Sequence, residues 1–162
     1  MELPEVWARA DEYFTAREDA DMKGHAEAVV KWARELMARG EPGEPHIVIP
    51  AAILHDVGIP MAIELYGGSG SPGQEVEGAV IAREILVELN CEPQQVEAIC
   101  GIIAVHHHRL RHPTPEFRLL HDADLLVNAQ EAGHTCEQVA DRCYTAAARR
   151  LAREVLRAAG SA

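Results

Sequence analysis

Residues 49–58 read IPAAILHDVG, and the reading of this stretch decides the fold. A short apolar run bounded by glycine and proline fits a buried strand as well as a buried helix. A strand, however, must pair with another strand, and the chain holds no second candidate. The stretch is therefore taken as a short apolar helix over about Ile49–Val57, halted by Gly58 and Pro60.

Helical periodicity extends outward from it in both directions. Upstream, the pattern predicts a first helix over about Pro4–Glu18, with proline near its first turn. A second runs over about Asp21–Ala38 and is stopped by Gly40 and a loop containing Pro42, Gly43 and Pro45. Downstream, GGSGSPG at 67–73 reads as a flexible loop, a weak candidate for a lid over a small substrate. Helices follow at about Gln74–Leu89, Pro93–His107 and Pro115–Gln130. The last, about Cys136–Ala159, opens on Thr135 with Gln138 three residues on, a capping-box pattern. With no internal repeat and no domain boundary, the expectation is one compact all-α domain across 1–162. It would hold about six to seven helices, with a motif-bearing core at about 20–130 and a C-terminal helix at about 136–159.

Composition agrees. A chain of 162 residues can bury roughly 70% of its unfolded surface. Hydrophobic residues make up 48% but aromatic ones only 4%, so the core must be Leu, Ile, Val and Ala, as suits packed helices. The formal net charge of −11 repels phosphate backbones, which argues against a nucleic-acid polymer as partner. A small phosphorylated substrate stays compatible, because a bound metal reverses the local sign. No apolar run approaches the ~20 residues that span a bilayer. The opening MELPEVWARADEYF is acidic and amphipathic, unlike a signal peptide, so the expected location is cytoplasmic, away from membranes. Cys91, Cys100, Cys136 and Cys143 show no CxxC spacing and read as small buried apolar residues. Cys136 and Cys143 fall on one helix face. Nothing in the sequence fixes an oligomeric state.

Nine histidines carry the chemical signal, through placement more than number. His25 shares a helix face with Val29, Trp32 and Leu36, so it points inward. A lone inward histidine is usually a satisfied core residue. His55–Asp56 ends the apolar run, where an ionisable pair costs several kcal/mol unless something compensates it. A pairing arginine or a cap at Gly58 would serve, but a divalent cation accepts both imidazole and carboxylate. Asp124 lies on one face with Phe117, Leu120 and Val127 and should also point inward. Asp122 falls nearly opposite and should be solvated. Two inward histidines and two inward carboxylates from three helices can converge on one ion.

These residues, with their surroundings, resemble the HD superfamily of metal-dependent phosphohydrolases. The pattern H…HD…D is matched by His25, His55–Asp56 and Asp124. GHAEAVVKWARELM, AAILHDVG, EGAVIAREIL, IIAVHHH and HDADLL supply the context, across about residues 20–130. The resemblance implies an all-α fold and hydrolysis of a phosphate ester of a small molecule, often a nucleotide. It also implies one divalent ion (Mn, Fe, Co, Ni, Zn or Mg) and a water-orienting role for Asp56. Two-metal relatives add a histidine four residues before a Gly-Ala pair, and Gly78–Ala79 puts Gln74 there. They add another after an IxxIxxH-like helix, matched by His106 and His107. With an amide in place of imidazole, a single ion is expected. Glu75 or Glu77 could contribute a ligand, but acids early in a helix are more often surface residues that offset the dipole.

For substrate phosphate, Lys23 is a candidate, as are Arg109, Arg111 and Arg118, although a solvated helix-end cation is the simpler reading of each arginine. His106 or His107 could steady the phosphate or protonate the leaving oxygen. His108 and His112 are expected at the surface, while His46, His121 and His134 receive no role. Two alternatives stand beside the hydrolase: an HD-type di-iron oxygenase, which needs a fuller histidine set, and a non-catalytic nucleotide- or metal-binding module.

Overall fold

The structure, a computed structural model, describes residues 1–15, 21–68 and 71–159. Among the described residues there are nine helices and no strand: α1 (Leu3–Phe14), α2 (Met22–Ala38), α3 (Pro45–Leu54), α4 (Ile59–Tyr66), α5 (Ser71–Glu88), α6 (Pro93–Ile103), α7 (Pro115–Glu131), α8 (Cys136–Ala140) and α9 (Ala146–Ala159). The chain is all-α as expected, with more helices than the six to seven anticipated. The last residues expected in the first helix, 16–18, lie outside the described residues, as does the centre of the glycine loop at 69–70.

α3 is the hub. It is apolar all round, every residue from Ile47 to Leu54 is buried, and it packs against α1, α2, α6 and α7. It begins four residues earlier than the sequence suggested, because Pro45 sits in its first turn, where proline's missing N–H costs nothing. Pro60 likewise starts a helix instead of stopping one. It lies in the first turn of α4, which ends at Gly67 in the left-handed conformation (φ 74°), with Gly67 N bonded to Ile63 O. No single helix among the described residues is long and apolar enough to cross a membrane. α3 and α4 together pass that test only across a 41° bend.

The long C-terminal helix predicted over 136–159 is instead two helices, and Asp122 is the cause. Expected in solvent, it is fully buried. Its Oδ1 accepts from Tyr144 N at 2.9 Å, and its Oδ2 accepts from Thr145 N at 2.7 Å and Thr145 Oγ1 at 2.8 Å. Thr145 Oγ1 in turn accepts from Ala148 N, so the pair sets the start of α9. The break also separates Cys136, in α8, from Cys143 in the connection, so they do not share a helix face. Both are buried free thiols, and burial pushes the Cys143 thiol up to about 12. Cys100 is buried as expected, while Cys91 is only half-buried.

The turn after α3 meets α5 backbone to backbone. A Cβ on Gly58 would fall 2.3 Å from both Gln74 O and Gly78 N, and one on Gly78 would fall 3.4 Å from His55 O. This contact sets the first turn of α5 beside His55–Asp56. Gly58→Ala should therefore destabilise the chain by about 3 kcal/mol, the upper end for overpacking, because backbone cannot turn aside. Urea unfolding measures this, and a change under about 0.5 kcal/mol would show that the two segments separate easily.

Candidate metal centre

Two helices and one turn deliver the four candidate ligands. α2 opens on Asp21, whose carboxylate accepts from Gly24 N at 2.8 Å. A side chain at Gly24 would collide with that carboxylate. This cap fixes the first turn of α2 and with it His25. His55 and Asp56 stand in the turn that follows α3, and Asp124 lies in the middle of α7.

The structure brings all four together. His25 Nε2 lies 3.1 Å from Asp124 Oδ1 and 3.7 Å from Asp56 Oδ2, while His55 Nε2 lies 3.3 Å from Asp56 Oδ2 and 3.7 Å from Asp124 Oδ1. An ion with bonds of about 2.1 Å keeps neighbouring ligands roughly 3.0–3.4 Å apart, so these four atoms frame a space of that size. The side chains of His55, Asp124 and Asp56 are 0%, 10% and 14% exposed, so water contributes little to holding the charges.

The donor chemistry fits a cation. His55 Nδ1 donates to Ala52 O at 2.9 Å and His106 Nδ1 to Ile103 O at 2.8 Å. Each bond locks the ring with Nε2 facing the cluster, the arrangement seen around metal-bound imidazoles. Both Nε2 atoms are buried and have no hydrogen-bond partner. Asp124 is steadied by Asn128, which donates to its Oδ1 at 2.7 Å, and His25 Nδ1 lies 3.3 Å from Glu131 Oε1.

Without an ion, protons do the compensating. Burial works against the charged form of His55, but Asp56 and Asp124 outweigh it and hold its pKa well above the ordinary imidazole value. His25 is raised in the same way, burial being overcome by Asp124. Burial opposes ionisation of Asp56 and Asp124 too, yet the neighbouring imidazoles hold both carboxyls well below their usual range.

The remaining candidates divide. His106 is buried, with Nε2 3.7 Å from Asp56 Oδ1. It points inward as its helix face implied, although α6 has already ended at Ile103. His107 is a third exposed, and burial, then His106, lowers its pKa. Gln74 does reach the site, donating from Nε2 to Asp56 Oδ1 at 2.9 Å. Glu75 is not a surface acid. It is 2% exposed, accepts from His107 N at 2.9 Å, and lies 3.1 Å from His108 Nε2. Its hold on His107 N helps end α6 short of the predicted His107. His108 is exposed despite that contact, and Glu77 accepts from Tyr66.

Lys23 turns to α1, where Nζ pairs with Asp11 Oδ2 at 2.6 Å, and not toward a phosphate position. Arg109 donates to Arg142 O and lies over the Tyr144 ring, so its role is structural. Arg111, Arg118 and His112 are exposed. Sequence reasoning missed Asn128, Glu131 and the burial of Glu75. Only Asn128 had a signal, its position one helical turn after Asp124.

Comparison with known proteins agrees with this fold. The HD domain family model matches residues 22–129. The fold is similar to that of a predicted HD superfamily hydrolase from an uncultured Thermotogales bacterium, known from a 1.45 Å crystal structure. The TM-score is 0.75 at 22% identity, covering 98% of this chain and 87% of the other. No curated protein matches the chain.

Proposed function

The chain belongs to the HD domain family, and from that premise we propose that it hydrolyses a phosphate ester of a small molecule, with one divalent ion held by His25, His55, Asp56 and Asp124. The observation that carries this reading is that the His25 and His55 Nε2 atoms each lie 3.1–3.7 Å from an oxygen of both Asp56 and Asp124, with the His55 nitrogen buried and lacking a hydrogen-bond partner. An ion bound there would polarise a phosphoryl oxygen and lower the pKa of a bound water.

The chain's own residues supply the rest. Asp56 turns Oδ2 to the other three ligands and Oδ1 toward Gln74 and His106. A water between Asp56 Oδ1 and His106 Nε2 is oriented by two acceptors. Its proton passes to His106 Nε2 as its oxygen attacks phosphorus and the ester P–O bond breaks, and His106 then gives that proton to the leaving oxygen. The net charge of −11 repels long polyanions and favours one small phosphate group that a bound ion would neutralise.

The test is elemental analysis of purified protein, followed by turnover on a panel of phosphomonoesters, phosphodiesters and nucleotides with Mn, Fe, Co, Ni, Zn and Mg. Turnover abolished by a chelator is expected. Metal bound without turnover across the panel would leave a binding module, and absence of bound metal would defeat the reading.

Loading the ion should also release protons. His25 and His55 have raised pKa values in the ion-free chain, so near neutral pH their protons compete with the metal. Apparent affinity should rise with pH over about pH 6.5–8.5, the range above the ordinary imidazole value of about 6.5. Calorimetry in two buffers of different ionisation enthalpy reads the protons directly. An affinity flat over that range would contradict the assignment of these imidazoles as ligands.

A further inference from the structure

Ligand-type groups continue past Asp56. Glu75, His106 and His107 each bring a donor atom within 4.8 Å of the others, and His106 also clusters with His55 and Asp56. By donor type alone this is room for a second ion sharing Asp56. Gln74 stands in the way. Its side chain is buried, and its Nε2 lies 2.9 Å from Asp56 Oδ1 and 3.4 Å from His107 Nε2. An ionised carboxylate only accepts, so the amide nitrogen, and not the amide oxygen, must face Asp56. The two amide N–H groups then occupy lone pairs on Asp56 and His107 that an ion would need.

Glu75 is engaged as well. One oxygen takes the His107 N–H, the other lies 3.1 Å from His108 Nε2, and Oε1 is 3.5 Å from His107 Nδ1. A proton on Nδ1 facing Glu75 leaves Nε2 as the acceptor that Gln74 requires, so the contacts agree on one tautomer. His106 Nε2, like His55 Nε2 beside it, lacks a hydrogen-bond partner.

We propose that Gln74 is a plug that sets the metal number: its amide binds Asp56 and His107 in place of a second cation. The plug rests on the metal reading of the first position. It leaves His106 Nε2 buried without a partner and keeps Asp56 Oδ1 from bridging two ions. Neutral and already hydrogen-bonded, the amide satisfies both partners without stripping an ion of its water.

The experiment is Mn2+ titration of the full chain, with elemental analysis after dialysis and electron paramagnetic resonance of the loaded protein. The wild type should hold about one ion per chain and give the spectrum of an isolated Mn2+. Gln74→His, which supplies a ligand, should hold about two, and their spectrum should show the exchange coupling of ions roughly 3.5–4 Å apart. Gln74→Glu keeps the length, removes the donors, and should also take up a second ion, which guards against a histidine that does not fit. Two coupled ions in the wild type would overturn the plug and leave the first position standing. So would a count of one in both variants with helicity retained by circular dichroism. A wild type that binds no Mn2+ would overturn the metal reading and the plug together.

Discussion

Asp56→Asn should leave the fold standing and remove hydrolysis. The substitution keeps the shape of the side chain and deletes its charge. Asp56 Oδ2 lies 3.3 Å from His55 Nε2 and 3.7 Å from His25 Nε2, while Oδ1 faces Gln74 and His106. Among the four proposed ligands, Asp56 alone also borders the water position proposed beside His106. Metal affinity should fall by more than the ~10–100-fold that outer-shell changes cost. Turnover should fall at least ~10³-fold, beyond the loss of one transition-state hydrogen bond. Elemental analysis and steady-state kinetics read the two separately. Full turnover in the variant would take this site out of the chemistry.

Asp122→Ala should do the opposite, leaving the ion in place and weakening the fold. Its carboxylate receives two backbone N–H groups and the Thr145 hydroxyl, and lies 3.1 Å from His121 Nδ1, all at a fully buried position. Removing it strands buried donors at about 1–3 kcal/mol each, so a total of about 3–5 kcal/mol is expected. At roughly 2–4 °C per kcal/mol for a chain of this size, the midpoint should drop by about 6–20 °C. Differential scanning calorimetry measures the drop, and ion stoichiometry at low temperature should not change. A midpoint within about 2 °C of wild type would mean that α9 is anchored elsewhere.

These two aspartates show what the sequence could and could not reveal. Helical periodicity put Asp124 on an inward face, and it is inward. The same rule put Asp122 in solvent, because periodicity counts only the apolar stripe of one helix. α7 is buried on more than that stripe, with α8 and α9 packed beside it. Only a partner that begins 22 residues later, the backbone at Tyr144 and Thr145, makes a buried carboxylate affordable there. The breaks in the predicted helices have the same origin. Glu75 takes the N–H of His107 and Asp122 takes those of Tyr144 and Thr145, so each helix boundary is written in a residue far from it. Prolines misled for a local reason: Pro45 and Pro60 were taken as breaks, and both lie in first turns. The four-residue cluster was legible because His25 and Asp124 lie on the core faces of α2 and α7, and His55–Asp56 follows the apolar run of α3.

His25 and Asp124 are 99 residues apart in the chain and 3.1 Å apart in the fold. An ion gripping both would tie off most of the polypeptide as one loop, as a cross-link does. Closing a loop of about 100 residues removes on the order of 4–5 kcal/mol of freedom from an unfolded chain that stays linked. An ion differs from a covalent tie in being exchangeable, so its hold scales with free concentration: about 2.7 kcal/mol at a hundred times its dissociation constant. The four cysteines form no disulfide. For this chain, the surrounding free metal concentration would be the adjustable part of its resistance to unfolding.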